Sequence, residues 1–244
     1  MNNRRLRAAA TALAVSGAIT LTALPAQAST VGTARKVSTV GDSYPDGTGG
    51  NEGNAYPERY ARRTGQGSAN HSHPGWKSSD VLYQFSSDPR VLASIRASRT
   101  VVVTIGANDI SMAYPNPSRA ATSLTPYGGA MRNMRSRVHT VLGRISAARG
   151  GNNKRVVVLN YNNIYADGTP LARKGTAYAT GAEKLTQQVN NILMAECRAY
   201  GMSCVNVYPS FDVSYVNTLV TADGTHLSSK GHTVYSNRIY AAVR

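Results

Sequence analysis

Hydrophobic positions along the chain form two kinds of pattern, and these alternate. Short apolar runs at 37–40, 100–105, 155–159 and 205–207 predict strands, and a further brief strand is predicted near 68–71. Stretches with apolar residues every three or four positions predict helices. These helices are expected over 56–64, from Ser78 through Phe85, and over 88–95, 129–149, 181–199 and 228–243.

The order of these elements indicates a fold class. The run Thr100–Ile105 contains three successive valines, so both of its faces must be covered, as in a parallel sheet with helices on each side. Strands that alternate with helices favour a three-layer α/β/α sandwich with a mostly parallel central sheet. Segments 112–126 and 161–174 are expected to be loops.

The first 28 residues read as a secretory signal peptide. Arg4, Arg5 and Arg7 precede an Ala-, Leu- and Thr-rich stretch, and Ala26-Gln27-Ala28 offers a cleavage site. A single membrane anchor is the alternative, but the apolar stretch is short and ends at Pro25. We therefore expect secretion after cleavage near Ala28 and one domain over 29–244.

The chain is strongly basic, with a formal net charge of +15. The leader holds three arginines and no acid, so residues 29–244 carry +12. Anionic lipid, acidic polysaccharide and nucleic acid are conceivable partners of such a protein, but no nucleic-acid-binding motif is present. Arginines at helical spacing predict a solvated helix face, and they are Arg132, Arg135, Arg137 and Arg144.

Two cysteines, Cys197 and Cys204, predict a disulfide if the protein is exported, and two free thiols are the alternative. Closing so short a loop would stabilise the fold by on the order of 2.5 kcal/mol.

His71 and His73 have a spacing that can hold zinc, but no third ligand stands nearby, and we expect a loop feature. We expect no metal and no organic cofactor.

Four short blocks carry the candidate chemistry, and each lies beside a predicted strand end or helix start. They are Gly41-Asp42-Ser43, Gly75, Gly106-Ala107-Asn108-Asp109 and Asp223-Gly224-Thr225-His226. A serine needs an adjacent base to act as a nucleophile, and acyl transfer also needs donors for the developing oxyanion. Together the blocks contain these parts.

In this order, the blocks resemble those of the SGNH hydrolases, also called the GDSL esterase and lipase family. Gly47 stands four residues after Ser43, as it does in the family's first block. The resemblance spans roughly residues 36–243. Gly75 is the best candidate for the second block by its position, although Gly65 and Gly67 lie close by.

The resemblance implies a role for each residue. Ser43 would be the nucleophile, His226 its base and Asp223 the acid that orients His226. The backbone N–H groups of Ser43 and Gly75 and the side-chain amide of Asn108 would form the oxyanion hole. Asp42 and Asp109 would hold the turns, and His232 would be a surface or packing residue.

The substrate is expected to be a small or polymer-borne carboxylic ester with a short acyl chain, such as an acetylated carbohydrate. A lipase or phospholipase acting on longer chains is one alternative, and a non-catalytic glycan- or lipid-binding protein is another. A monomer without stable membrane insertion is expected. The motive for short chains is the polar loops rich in tyrosine and asparagine and the lack of an obvious lid. Tyrosines near the blocks and in loops could line a sugar-binding cleft or an amphipathic lipid groove, and they are Tyr44, Tyr56, Tyr83, Tyr114, Tyr127, Tyr161 and Tyr165.

Overall fold

The computed structural model describes residues 36–243, which belong to one compact unit. The predicted signal peptide lies outside the described residues. No helix of the described part is long and apolar enough to cross a membrane.

Five parallel strands form a single sheet, in the order β2-β1-β3-β4-β5. Every residue of β3 and β4 is buried, which follows from helices covering both faces. The three-layer α/β/α prediction is therefore confirmed. The strands are β1 (Lys36–Gly41), β2 (Gly67–Asn70), β3 (Thr100–Thr104), β4 (Val156–Leu159) and β5 (Ser203–Val205).

Helices connect the strands, and short 3₁₀ turns lie in the loops. The α-helices of the described residues are α1 (Ser43–Asp46), α2 (Tyr56–Arg63), α3 (Ser78–Ser87), α4 (Pro89–Ala97), α5 (Ala107–Ser111), α6 (Gly128–Ala148), α7 (Gly168–Ala172), α8 (Thr176–Ala199) and α9 (Ser229–Ala242). The 3₁₀ turns are Pro117–Ala121, Thr125–Tyr127, Tyr208–Ser210 and Val216–Thr218.

Several elements differ from the prediction. Helix α8 begins at Thr176, so it includes Gly181, where the helix was expected to start. The missing side chain of Gly181 lets the helix approach the Pro117 carbonyl. A Cβ at Gly181 would lie 2.0 Å from that oxygen. Helix α7 forms within the predicted loop 161–174. Strand β5 ends at Val205, two residues earlier than expected.

The helices form one layer on each face of the sheet, and the strand order contains a topological switch point. Helices α2 and α9 pack together on one side, whereas α3, α4, α6 and α8 lie on the other. The chain passes from β1 outward to β2 and then returns past β1 to β3. In such sheets ligands bind beyond the carboxyl ends of the strands, in the crevice where the strand order reverses. That crevice lies here between the ends of β1 and β3.

Cys197 of α8 and Cys204 of β5 form a disulfide, with their Cα atoms 5.8 Å apart. The bond joins the last turn of α8 to the edge strand. The predicted pairing is therefore present, and neither sulfur is free.

The arginines of α6 are not simply solvated, so that prediction was partly wrong. Arg135 pairs with Glu196 of α8 (Nε–Oε1 2.7 Å), and Arg144 donates to the carbonyl oxygen of Phe85 in α3 (3.2 Å). These side chains reach across to neighbouring helices while remaining partly exposed. The two arginines lie on opposite sides of α6, so one of them fastens α6 to α8 and the other fastens it to α3.

Candidate active site

The turn that carries Ser43 is set by the residues on each side of it. The Asp42 carboxylate caps α1 by accepting the Tyr44 N–H (3.0 Å), and the Gly47 N–H donates to the Ser43 carbonyl (3.2 Å). A Cβ at Gly41 would lie 2.2 Å from the Thr104 carbonyl oxygen, so only glycine fits where β1 runs beside β3. Ser43 itself is 9% exposed at this edge.

Asn108 lies at the start of α5, directly beyond the end of β3. Its side-chain amide donates one hydrogen bond to the Trp76 carbonyl (2.9 Å), which leaves the second N–H of the amide for another acceptor. The neighbouring Asp109 carboxylate accepts both the N–H (2.8 Å) and the hydroxyl (2.7 Å) of Ser78. Asp109 therefore holds the Asn108 turn against the start of α3.

Gly75 lies in an exposed turn next to Trp76, and hence beside Asn108. Its φ of +74° favours glycine, although a Cβ there would meet no atom within 4 Å. Gly67 is the first residue of β2 and Gly65 precedes it, so both lie toward the opposite edge of the sheet. Of the three glycines, only Gly75 is brought to the Asn108 turn.

Asp223 contacts both the ring and the backbone of the His226 segment. One carboxylate oxygen lies 2.6 Å from His226 Nδ1, and the other accepts the N–H groups of Thr225 (2.7 Å) and His226 (3.0 Å) and the Thr221 hydroxyl (2.7 Å). Burial acts to raise the pKa of Asp223, but these hydrogen bonds outweigh it and lower the pKa to about 2. The carboxylate is therefore ionised at neutral pH.

Tyr44 joins the Ser43 turn to the His226 segment. Its buried hydroxyl donates to the Thr225 carbonyl (2.8 Å), and its ring centroid lies 6.4 Å from that of His226. No hydrogen bond links Ser43 Oγ to the His226 ring among the described residues. Catalytic hydrogen bonds are often long in unliganded enzymes and tighten when substrate binds. The Ser43 turn and the His226 segment are thus packed together, whereas no direct hydrogen bond joins the two side chains within the described residues.

Tyr161, just beyond β4, connects the Ser43 turn with the Asn108 turn. Its hydroxyl donates to the Asp42 carboxylate and accepts the Ala107 N–H (3.3 Å). We had expected Tyr161 only as a loop tyrosine, so this role was missed. The available signal was its position after the strand that pairs with β3, where a side chain can point back under the site.

The tyrosines that suggested a sugar cleft or lipid groove are mostly internal, which corrects that expectation. Their hydroxyl groups form hydrogen bonds within the protein, as that of Tyr165 does with the Tyr114 carbonyl oxygen (2.9 Å). Tyr83 is the one expected tyrosine that is largely exposed, at 73%. The buried members of the set are Tyr44, Tyr56, Tyr127, Tyr161 and Tyr165.

His232 is a packing residue and is fully buried. Its Nδ1 accepts the Tyr56 N–H (3.3 Å), and its ring stacks on that tyrosine with the centroids 5.9 Å apart. Burial, helped by the positive charge of Arg59, lowers the pKa of His232 to about 3. The ring is therefore neutral, its Nδ1 is occupied, and His232 packs α9 against α2.

With this geometry in place, the family can be stated. The GDSL-like Lipase/Acylhydrolase family matches residues 39–234, so the chain belongs to that family. The prediction of an ester-hydrolysing enzyme is thereby confirmed at the level of the family. No curated protein matches the sequence.

Solved structures share the fold. A lipase from a goat rumen metagenome is 19% identical with a TM-score of 0.69, and the match covers 85% of this chain and 97% of that one. Phospholipase A1 from Streptomyces albidoflavus is 20% identical (TM-score 0.64; 86% and 99%). A catalytic mutant of an acetylxylan esterase from Geobacillus stearothermophilus is 14% identical (TM-score 0.61; 86% and 94%). At these identities the likeness concerns the fold.

Asp42 and His232 affect the pH dependence of stability in opposite directions. Burial raises the pKa of Asp42 from 3.8 to about 7, against the hydrogen bonds from Tyr161 and Tyr44. Between these values the folded protein holds a proton that the unfolded chain has lost, so Asp42 makes the free energy of unfolding fall as pH rises. Between about 3 and 6.5 the unfolded chain holds the His232 proton, so His232 makes that energy rise with pH.

We therefore expect Asp42→Asn and His232→Gln to tilt the stability curve in opposite senses. Relative to the wild type, the free energy of unfolding of Asp42→Asn should increase with pH between 4 and 6.5, and that of His232→Gln should decrease. The limiting slope is about 1.4 kcal/mol per pH unit for one proton. Urea unfolding at half-unit pH steps measures these slopes, and curves parallel to the wild type would contradict the assignment.

Proposed function

We propose that this protein is a secreted serine esterase that cleaves carboxylic esters through an acyl-enzyme on Ser43. The observation that carries the proposal is the Asp223–His226 pair, with a 2.6 Å contact, in a segment that Tyr44 fastens to the Ser43 turn. Family membership supports the reaction class. The residue roles below are part of the proposal.

The tautomer of His226 is set by its partner. Nδ1–H donates to the ionised Asp223, so Nε2 of the neutral ring is left without a proton and can accept one. On attack, the Ser43 Oγ proton passes to Nε2 while Oγ bonds to the acyl carbon. The C–O bond of the ester then breaks, and the leaving oxygen takes the proton from His226. Water then attacks the acyl carbon while its proton passes to Nε2 of His226. The bond between Oγ and the acyl carbon breaks, Oγ takes the proton back, and the acid is released, which restores Ser43.

Three N–H donors are proposed for the oxyanion that forms on attack. They are the backbone N–H groups of Ser43 and Gly75 and the free N–H of the Asn108 amide. No acceptor within the described residues bonds to the first two, so both remain open to substrate. Removing one such donor typically costs about 2.7–4 kcal/mol of transition-state stabilisation. The Trp76 carbonyl would orient the Asn108 amide for this purpose.

Short acyl groups are the proposed substrate class, on small alcohols or on carbohydrate. The site lies open to solvent: the side chains of Asp223 and His226 are 48% and 25% exposed, and the Gly75 turn is exposed as well. An open site suits a small acyl group that need not be drawn into a long apolar channel. A lipase or phospholipase that accepts longer chains is the second candidate, because Met112, one residue beyond α5, is 55% exposed and apolar.

Secretion as a monomer completes the proposal. Residues 1–28 would act as the signal peptide and 29–244 as the mature domain. The Cys197–Cys204 disulfide supports an oxidising compartment, because such bonds are uncommon in reducing ones.

Ser43→Ala and His226→Ala should each remove nearly all hydrolysis of p-nitrophenyl acetate, because the first lacks the nucleophile and the second its base. His232→Gln provides the matched control, since a buried packing histidine should leave turnover near the wild-type value when the variant is folded. A fluorophosphonate probe should label the wild type and not Ser43→Ala. Wild-type turnover in either catalytic variant, or no labelling of the wild type, would refute the proposal and favour a non-catalytic binding protein.

Asp223→Asn should keep the fold and lower kcat by several orders of magnitude, because the imidazole tautomer would be wrongly set. Asp212→Asn, at an exposed aspartate, is the control and should leave kcat unchanged. A loss below about tenfold, or 1.4 kcal/mol of barrier, would mean that Ser43 and His226 work as a dyad.

A chain-length series of p-nitrophenyl esters separates the two substrate classes. We expect kcat/KM to peak at acetate or butyrate and to decline with longer chains, since the open site gives a long chain little apolar surface. The measurement is initial rates below the solubility limit of each ester. A maximum at twelve carbons or more, with activation on emulsified lipid, would replace this preference with a lipase or phospholipase.

A further inference from the structure

A cleft of about 310 Å³ lies at the amino edge of the sheet, away from the Ser43 edge. Three arginines line it. Arg99 directly precedes β3, Arg155 directly precedes β4, and Arg63 is the last residue of α2. The cleft therefore lies where helix α2 ends over the starts of two central strands.

Within residues 36–243, the charges that line this cleft are positive and have no acidic partner. No Asp or Glu is among the described residues that line it, and none of its three arginines takes part in an ion pair within that part of the chain. Lys36, at the start of β1, accepts the Arg99 N–H on its carbonyl oxygen, so a further cation lies beside the cleft. By contrast, Arg90, Arg135 and Arg137 elsewhere each contact a carboxylate. Grouped cations without carboxylates raise the local concentration of anions.

The arginines are also anchored. The Arg63 guanidinium lies 3.7 Å from the Tyr240 ring centroid, and its Nη1 donates to Asn237 Oδ1 (2.7 Å). The backbones of Arg99 and Arg155 are held in the sheet by hydrogen bonds to Lys36 (3.0 Å) and Val101 (2.9 Å). A planar guanidinium fork matches two oxygens of a phosphate or sulfate group. The Arg63 fork is held in place before a ligand binds, so it loses little freedom on binding, and the backbone bonds fix where the Arg99 and Arg155 side chains begin.

We propose that this cleft is a binding site for tetrahedral oxyanions, that is, phosphate or sulfate groups, carried on a polyanionic polymer. The strands are parallel, and β1 spans six residues. At about 3.3 Å per residue, the cleft and the Ser43 edge are roughly 20 Å apart. A polymer held at the cleft would leave the catalytic edge open to solvent and to ester groups nearby.

The preference for a polymer over a membrane rests on the proposed function, whereas the oxyanion site does not. A bilayer bound at the amino edge would face away from Ser43, so the enzyme could not reach esters in that bilayer. A polymer chain is thin and flexible, and it leaves both edges accessible.

The test compares two double variants that remove the same charge. Arg99→Gln/Arg155→Gln alters the cleft, and Arg119→Gln/Arg132→Gln removes two exposed arginines elsewhere. Binding of the purified protein to fluorescent dextran sulfate and to polyphosphate is measured by anisotropy at about 0.15 M salt. The cleft variant should bind at least about tenfold more weakly than the wild type, because charge-assisted hydrogen bonds are lost, and the control should stay within about twofold.

Two further measurements support the comparison. Inorganic phosphate should displace both polymers from the wild type, and turnover of p-nitrophenyl acetate should be unchanged in both variants. Arg99→Lys/Arg155→Lys keeps the charge and removes the forks, so it should bind with intermediate affinity. It also serves in place of the Gln pair if that pair does not fold.

Three results would overturn the proposal. Equal weakening in both Gln variants would show binding through overall charge, and no polymer binding by the wild type would exclude the site. Cleft-dependent binding to vesicles with anionic phosphatidylglycerol, without binding to either polymer, would assign the cleft to membranes. Because p-nitrophenyl acetate turnover is read separately, failure of this site and failure of the proposed esterase are distinguishable.

Discussion

The buried carboxylate of Asp42 is the constraint on which the geometry of the candidate site depends. A carboxyl group removed from water is costly unless donors satisfy it, and here the donors are the Tyr44 N–H and the Tyr161 hydroxyl. The first donor fixes the turn that follows β1. The second reaches from beyond β4, and through its bond with Ala107 it also fixes the turn after β3. One buried carboxyl group thus ties together the turns that follow β1 and β3 and the residue that lies just beyond β4.

Asp223 shows the opposite use of the same functional group. It is about half exposed, four hydrogen bonds surround it, and its pKa falls to about 2, whereas burial brings that of Asp42 to about 7. Two carboxyl groups in one crevice therefore differ in protonation because their environments differ. The partly protonated one maintains the shape of the site. The ionised one contacts Nδ1 of His226, which is the arrangement that the proposed mechanism needs.

Local pattern was sufficient to predict the strands, the parallel sheet and the four blocks, because apolar runs and the residues at strand ends are set by neighbours in the sequence. The contacts of Tyr161 and Tyr44 were not predictable. They join residues 119 and 181 positions apart, and a tyrosine in a polar loop gives no sign of which strand end it will reach. The same limit applies to Arg135, whose helical spacing indicated solvent while its partner, Glu196, came from another helix. The start of α8 was predicted wrongly for a related reason. The small size of Gly181 serves a contact with the distant Pro117 carbonyl and does not mark the start of the helix.

The overall positive charge is unevenly placed along the strand direction. Asp42, Asp109, Asp167 and Asp223 lie at the carboxyl edge, and the cleft arginines lie at the amino edge. In the proposed reaction, an uncharged ester meets no electrostatic barrier at the carboxyl edge. Its hydrolysis forms a carboxylate close to the ionised Asp223. Repulsion between the product anion and that aspartate favours release. The acids that organise the turns therefore also suit the proposed reaction, whose substrate is neutral and whose product is an anion, while the cations at the other end of the sheet suit the proposed polyanion.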